Sequence, residues 1–359
     1  MTIETKTPVI PNSASDIGFF TTKLAAMGSN GQPEFFSFPS QPARVQSAQI
    51  VSTGMSSLAG VNVTVDDSLF FVGPDSALHT KGRESRTISE NFAKTSEYKA
   101  LFLGSLHYLL RIHSKTVGDS NKVDIRRLVV GLPLNTFMEM KQYIREIFEG
   151  KHKVPSTIKH NETVEVHVKS VTVIPQPQGA LISSGVKITE KAAMAEYYSQ
   201  NILVIDLGGG TCDWLLTNNQ KVISSRSGAY QKGVLACVYA ICDSINKTFA
   251  TDPLAVQRID DALRNGKAEF KLGGGNVYKL QDYKQAAQHV LYECLNQIIT
   301  SVGSLTSVDQ IIFTGGGGKL LYEAAQEAWS EYEKIMVIDD NSVFSNVYGF
   351  FLLGEMLNG

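Results

Sequence analysis

The chain has 359 residues, 43 % of them hydrophobic, and its 33 basic and 35 acidic residues give a formal net charge of −2. A chain of this length and composition can bury a sizeable core and is expected to form two domains rather than one. Since the charge is near zero and no run of five basic residues occurs, direct binding of nucleic acid is not expected.

The N-terminal half begins without the basic start and apolar segment of a secretion signal, and no stretch approaches the length that crosses a bilayer. Hydrophobic periodicity then predicts short strands to about residue 80, a helix over about 90–115, a strand over 126–131 and a helix over 134–148. The next stretch, KHKVPSTIKH at 151–160, has a proline among lysines and histidines and is interpreted as a solvated loop.

The C-terminal half begins with a strand over 201–206 that leads into a hairpin. The further predicted elements are helices over about 230–250 and 254–265, a small hairpin around KLGGGN at 271–276, a helix over about 281–302, a strand over 309–313 and an apolar helix over 344–357.

The cysteines indicate the cellular compartment. No C-x-x-C pair occurs, and mostly apolar residues flank Cys212, Cys237, Cys242 and Cys294. They are therefore expected to be reduced core thiols rather than zinc ligands or disulfides. With no secretion signal or membrane span, the chain is predicted to be cytoplasmic and to have no membrane contact.

A glycine-rich turn follows the predicted strand in NILVIDLGGGTCDW, residues 201–214. Glycines 208–210 let the backbone turn tightly and bring its N–H groups close to phosphate oxygens, and Asp206 beside a phosphate suggests a hydrated magnesium ion. The alternative is a plain hairpin with Asp206 and Asp213 as turn formers, and this stretch alone leaves both interpretations open. Neither the dinucleotide fingerprint nor the Walker A motif is matched.

The turn has two counterparts in the chain. DIGFFTTK at 16–23 repeats Asp-x-Gly about half the chain earlier, and IIFTGGGGKL at 311–320 places glycines after another apolar strand. Two similar halves, each with an Asp-Gly turn, could face one nucleotide across a cleft while the third turn holds its base end. The combination predicts a nucleotide site between the halves.

These turns, together with FVGPD at 71–75, LVVGLP at 128–133, VIPQPQGA at 173–180 and SNVYGFFLLGE at 345–355, resemble the ParM/StbA group of plasmid-segregating bacterial actins. That group belongs to the superfamily of actins, sugar kinases and heat-shock chaperone ATPases. The resemblance spans almost the entire chain and implies an α/β, actin-like fold of two similar domains, each with a mixed sheet and flanking helices, with a nucleotide cleft between them.

The resemblance also implies the domain boundaries. Domain I would comprise residues 1–190 with the C-terminal helix 344–359 packed back on it, and domain II would comprise residues 191–343.

The resemblance further implies ATP and Mg²⁺ as cofactors. The nucleotide-binding residues would be Asp16, Gly18, Thr21, Thr22, Lys23, Gly208, Gly209, Gly210, Thr211, Lys232, Gly315, Gly316 and Gly317. Lys23 would contact the β- and γ-phosphates, and Asp206, with Asp16, would hold Mg²⁺. Gln176 would act in catalysis with Asp206 by orienting the attacking water, because a glutamine can fix the geometry on which phosphoryl transfer depends. Lys232 would reach the ribose, although an exposed helix lysine is an equally good interpretation.

The first turn departs from the family pattern. The preceding segment VIPNSAS is polar and contains a proline, and Phe20 stands where a small residue is commoner. Either the first strand is short and irregular, or this turn binds nucleotide in a modified way.

The function that the resemblance implies is an ATPase that forms homopolymer filaments and segregates plasmid or similar DNA through a DNA-bound adaptor protein. A small-molecule kinase of the same superfamily is an alternative, but nothing in the sequence marks the aspartate base that it needs. A non-hydrolysing nucleotide-binding scaffold is a second alternative, which the atypical first turn favours. A chaperone is not expected, since the sequence ends at Gly359 without a peptide-binding domain.

Overall fold

The computed structural model describes residues 7–45, 57–79, 89–159 and 161–358, which form two large mixed sheets, two small sheets and the helices around them. The strands are β1 (Val9–Ile17), β2 (Thr21–Met27), β3 (Pro33–Pro39), β4 (Ala43–Arg44), β5 (Val61–Val65), β6 (Ser68–Val72), β7 (Lys122–Leu132), β8 (Gly150–Pro155), β9 (Thr163–Val168), β10 (Val171–Pro175), β11 (Asn201–Leu207), β12 (Cys212–Asn218), β13 (Lys221–Val222), β14 (Gly228–Tyr230), β15 (Glu269–Lys271), β16 (Val277–Lys279), β17 (Gln310–Thr314) and β18 (Met336–Ile338). The helices are α1 (Ser96–Ile112), α2 (Ser114–Val117), α3 (Leu134–Phe148), α4 (Gln176–Val186), α5 (Lys191–Ser199), α6 (Val234–Ile245), α7 (Pro253–Arg264), α8 (Lys284–Val302), α9 (Gly318–Ala328) and α10 (Ser345–Asn358).

Several parts of the sequence interpretation lie outside the described residues. They are residues 1–6, where no secretion signal is expected; residues 46–56 and 80, in the stretch of predicted short strands; residue 160, at the end of the stretch interpreted as a solvated loop; and residue 359, at the end of the helix assigned to domain I.

The first large sheet has the strand order β3-β2-β1-β7-β9-β8, and β10 pairs with the C-terminal part of β7. β1 and β2 form an antiparallel hairpin, whereas β1 and β7 run parallel. Along β7 the side chains alternate: Leu128 and Val130 pack in the core that α1 covers, and Val129 packs with Phe350 and Phe351 of α10. A segment that is apolar on both faces is thus buried between helices.

The second large sheet repeats this arrangement, with the strand order β13-β12-β11-β17-β18 and with β14 on β12. β11 is antiparallel to β12 and parallel to β17. Leu203 and Ile205 pack in the core beneath α6 and α8, while Val204 packs with Ala180 and Leu181 of α4 on the opposite face. The predicted pair of similar halves, each with a mixed sheet and flanking helices, is confirmed.

Helix α10 joins the end of the chain to the first sheet. It packs on α4, β1 and β7, and the Asn12 side chain donates from Nδ2 to the Phe351 carbonyl at 2.8 Å. Gly349 of α10 lies so close to the backbone of Gly179 in α4 that any side chain on Gly349 would collide with it. The two helices therefore pack backbone against backbone, close to the start of α4.

Most predicted elements are found within a few residues of their expected positions, including the helix over 134–148 and the small hairpin β15–β16 around residues 271–276. The interpretation of 151–160 as a solvated loop is wrong in its first part, because β8 covers Gly150–Pro155 and pairs with β9. Val154 is fully buried there, and Pro155 is tolerated because β8 lies at the edge of the described sheet.

The suggestion that the first strand is short and irregular is also wrong. β1 has nine residues and lies between β2 and β7. Its proline, Pro11, is exposed, and two of its buried polar side chains donate hydrogen bonds to helices: Asn12 to α10, and Ser15 to Ser105 of α1 at 3.4 Å.

The four cysteines are buried and form no disulfide, as predicted. Within the described ranges, no helix has both the length and the apolar character needed to span a membrane.

Candidate functional site

Both Asp-Gly turns are the ends of hairpins at matching positions in the two sheets. Asp16 pairs with Lys23 across the β1–β2 hairpin, and Asp206 pairs with Asp213 across the β11–β12 hairpin. The interpretation of residues 201–214 as a hairpin is therefore right about the backbone. All three aspartates, however, are buried members of paired strands rather than exposed turn formers.

Asp16 lies at the centre of a small polar network in the first half. Lys23 Nζ contacts Asp16 Oδ2 at 3.2 Å, and Gln176 Nε2 donates to Asp16 Oδ1 at 2.6 Å. Gln176 reaches this point because it begins α4 directly after β10, and β10 pairs with β7 next to β1. Three predicted site residues, 160 positions apart at the extremes, thus meet at a buried carboxylate.

Asp206 is fixed by a residue that the sequence interpretation missed. Asn346, the second residue of α10, donates from Nδ2 to Asp206 Oδ2 at 2.6 Å. Burial raises the pKa of Asp206, and nearby Asp16 adds to this, while Lys23 and the Asn346 bond oppose it. Gly315, with φ of +85°, lies against the other carboxylate oxygen, where any side chain would collide with it. The signal for Asn346 is present in the SNVYG motif, which the sequence interpretation used as evidence of family alone.

Asp213 is a second missed residue. Its Oδ1 accepts a hydrogen bond at 2.8 Å from the backbone N–H of Leu134, which begins α3 in the first half. The first N–H groups of a helix have no partner within the helix, so a carboxylate there is favourable. Burial raises the pKa of Asp213 to about 7, although the bonds from Thr211 and Leu134 lower it. The second turn is thereby tied to the first half.

The donor set fits a hydrated cation better than a directly bound one. Among the described residues, no group of three His, Cys, Asp or Glu side chains could hold a metal ion. Both oxygens of Asp16 already accept protein hydrogen bonds, whereas the buried Oδ1 of Asn346, beside Asp206, has no partner in the described part of the chain. Because Mg²⁺ retains several of its waters, such acceptors suit a cation bound through water.

A cleft of about 840 Å³ lies between the halves, a volume in the range of small-molecule sites. The first hairpin contributes Thr21 and Lys23 to its lining, and the third glycine turn contributes Gly316. Helix α7 adds Arg258, Asp260, Asp261 and Arg264, none of which the sequence interpretation had selected.

Of the predicted nucleotide-binding residues, Thr21, Lys23 and Gly316 line this cleft, whereas the others are not part of its lining: Asp16, Gly18, Thr22, Gly208, Gly209, Gly210, Thr211, Lys232, Gly315 and Gly317. Two of these are engaged elsewhere. Thr22 is fully buried, and its hydroxyl lies 2.9 Å from that of Ser40. Lys232 forms an ion pair with Glu293 of α8 and is not among the residues that line the cleft. The α6 N-terminus that follows Lys232 is also engaged, since Val234 N–H donates to the Gly208 carbonyl at 3.0 Å.

Two family matches cover most of the chain. The N-terminal domain of actin-like proteins matches residues 14–179, and the C-terminal domain of the archaeal MreB-like actin homologue matches residues 204–327. Curated proteins give no match to this sequence.

Solved structures extend the likeness to the full length. A 15-stranded ParM filament from Clostridium botulinum shares 19 % identity with a TM-score of 0.72, over 98 % of this chain and 100 % of that one. The actin-like protein Alp7A shares 17 % identity with a TM-score of 0.72, over 97 % of each chain. The psk41 ParM protein in its apo form shares 19 % identity with a TM-score of 0.66, over 98 % of each chain. At such identities the likeness shows the fold, and the predicted actin-like fold is confirmed.

Proposed function

This chain belongs to the actin-like proteins. We propose that it binds and hydrolyses ATP in the cleft between its halves, and that it polymerises with ATP and disassembles with ADP. The observation that carries the proposal is the convergence of Lys23, Gln176 and Asp16 at the first hairpin, opposite Asp206 on the second. Buried carboxylates beside a lysine and glycine turns suit a triphosphate with a hydrated cation.

The contacts of each site residue indicate its role in binding or hydrolysing ATP. Lys23 supplies positive charge for the β- and γ-phosphates, and the bond to Asp16 holds it near the turn. Gln176 is held by the same carboxylate, so its amide is fixed before the reaction, which favours a role in orienting water. Asp206, together with Asp16, would hold the waters of Mg²⁺. When bound, Mg²⁺ neutralises charge on the phosphates.

The small-molecule kinase is less well supported. It needs a carboxylate base that reaches a substrate hydroxyl in the cleft. Asp213, whose raised pKa suits a base, is 1 % exposed and accepts the Leu134 N–H and a bond from Thr211. Its hydrogen bonds support a role in joining the halves instead.

The proposed domain division follows the two sheets. The first sheet lies within residues 9–175, and α10 packs on its strands, which supports domain I as 1–190 with 344–359. The second sheet lies within residues 201–338, which supports domain II as 191–343.

Assembly into filaments is the second part of the proposal. Identical subunits joined head to tail form open filaments unless their rotation closes a ring. A nucleotide that bridges both hairpins would fix the relative orientation of the halves and so favour one subunit contact. The near-zero charge supports an indirect link to DNA, through a DNA-bound adaptor in the cytoplasm.

Light scattering with and without Mg-ATP, checked by electron microscopy, tests this function. We expect assembly above a critical concentration with ATP and disassembly as ADP accumulates. A chain that hydrolyses ATP but stays monomeric, and is stimulated by a hydroxylated small molecule, would support the kinase. Equal assembly without nucleotide would support the scaffold.

A further inference from the structure

We propose that Phe20 and Arg264 form a latch across the cleft, which a nucleotide must open before it can bind. The inference rests on the proposed nucleotide binding. Phe20 belongs to the turn between β1 and β2, and Arg264 is the last residue of α7, so their contact joins the two halves. The Arg264 guanidinium carbon lies 4.9 Å from the centroid of the Phe20 ring, within the range of a cation–π interaction.

The position of Arg264 is fixed by its own helix. Its Nε donates to Asp260 Oδ1 at 2.6 Å, one turn earlier in α7. This bond orients the guanidinium so that Nη1 lies directly over Gly316, where a Cβ would collide with it. The guanidinium therefore covers one of the glycines on which the nucleotide is expected to lie.

Arg264 also has a donor available for a different partner. Its Nη2 is buried and has no hydrogen-bond partner among the described residues. A buried donor without an acceptor is unfavourable, so a ligand that supplies an acceptor would stabilise a different position of the guanidinium. The ring contact and the bond to Asp260 thus hold Arg264 in the latch, but one of its hydrogen-bond donors, Nη2, stays available for a ligand.

The first turn covers the second turn in the same way. The Phe20 Cβ lies against Gly209 and the Phe19 Cβ against Gly210, so closely that a side chain on either glycine would collide with them. The Phe19 ring is in turn stacked on Phe92, with centroids 5.1 Å apart. Side chains of this chain therefore cover glycines of two of the three turns. A triphosphate can reach those glycines only if the hairpins separate and Arg264 moves.

The consequence is a barrier to nucleotide entry that depends on one pair of side chains. Removing either partner removes the same contact, so the two substitutions are not additive. From the usual strength of a cation–π contact, each single substitution is expected to accelerate nucleotide association by roughly 2- to 30-fold.

The test is stopped-flow association of a fluorescent ATP analogue with Mg²⁺ present, for the wild type, Phe20→Leu, Arg264→Met and the double variant. We expect faster association in both single variants, a double variant no faster than the faster single one, and a wild-type rate in Phe20→Tyr, which keeps the ring. Phe137→Leu is the matched control, because Phe137 has its own cation–π partner, Lys141 at 5.3 Å, on α3. Melting temperatures check that each variant is folded.

The outcomes separate the latch from the proposed function. Wild-type binding with unchanged rates in both variants overturns the latch and leaves the nucleotide function intact. Weaker binding in Arg264→Met with no effect of Phe20→Leu makes Arg264 a nucleotide ligand and also overturns the latch. Binding in the variants but not in the wild type supports it most directly. If no protein of the set binds nucleotide, the proposed function and the latch both fail.

Discussion

Asp213 is predicted to make the protein less stable as the pH rises, which is the reverse of the usual behaviour of a carboxylate. Burial raises the pKa of Asp213 to about 7 from the 3.8 of an unperturbed aspartate. Between these two values the folded chain binds more protons than the unfolded chain, so the free energy of unfolding falls with rising pH. From this shift, protonation of Asp213 adds about 3 kcal/mol to the free energy of unfolding at pH 5 and nearly nothing at pH 8.

The substitution Asp213→Asn isolates this contribution, since an amide oxygen can still accept the Leu134 N–H but does not titrate. Urea unfolding of wild type and variant at several pH values between 5 and 8, without nucleotide or Mg²⁺, gives the difference. We expect the difference in unfolding free energy to shift by about 3 kcal/mol in favour of the variant over that range. Asp261→Asn is the control, because the bond from Lys267 lowers the pKa of Asp261. Parallel pH profiles for wild type and Asp213→Asn would refute the reasoning.

Two further predictions concern the residues on Asp16 and Asp206. Gln176→Ala should lower kcat for ATP hydrolysis by about 100-fold with little change in KM, because an orienting residue acts in the transition state. Gln178→Ala is its control in steady-state kinetics, and a reversed result would show that the role belongs two residues later. Asn346→Leu should lower the unfolding free energy by about 2 kcal/mol, since it removes a hydrogen bond to a buried carboxyl group. An unchanged urea midpoint would contradict it.

Most elements and the hairpins at 201–214 and around 271–276 could be predicted from local patterns, because alternation, helical periodicity and glycine turns are properties of short segments. β8 was missed because Pro155 was taken to break the strand that it ends. The prediction that Thr22 contacts the nucleotide could have been avoided by considering the alternation of side chains along a strand. Thr21 and Lys23 share a face of β2 and line the cleft, so the residue between them must face the other way.

The residues that were missed depend on contacts that one sequence does not reveal. Asn346 meets Asp206 across 140 positions, and Asp213 meets Leu134 across 79. Neither pair has the short, periodic spacing of contacts within one helix or strand, so neither contact can be predicted from the sequence. Arg264 is an ordinary basic residue at a helix end until the fold brings it onto Phe20. The positions of the glycine turns can thus be predicted from the sequence, but the residues that contact them in the fold cannot.

The charges of the site imply that cation binding and stability are linked. Asp16 adds to the raised pKa of Asp206, both add to the raised pKa of Asp213, and Lys23 is the cation on Asp16. Burying several carboxylates around one lysine is unfavourable unless protons or a further cation compensate. Protonation, which the raised pKa values favour, is one form of compensation. A bound divalent cation would be another, because it would stabilise the ionised carboxylates. A ligand that binds the folded chain alone stabilises it by mass action. The same carboxylates that weaken the fold at high pH would therefore make its stability depend on Mg²⁺ and nucleotide.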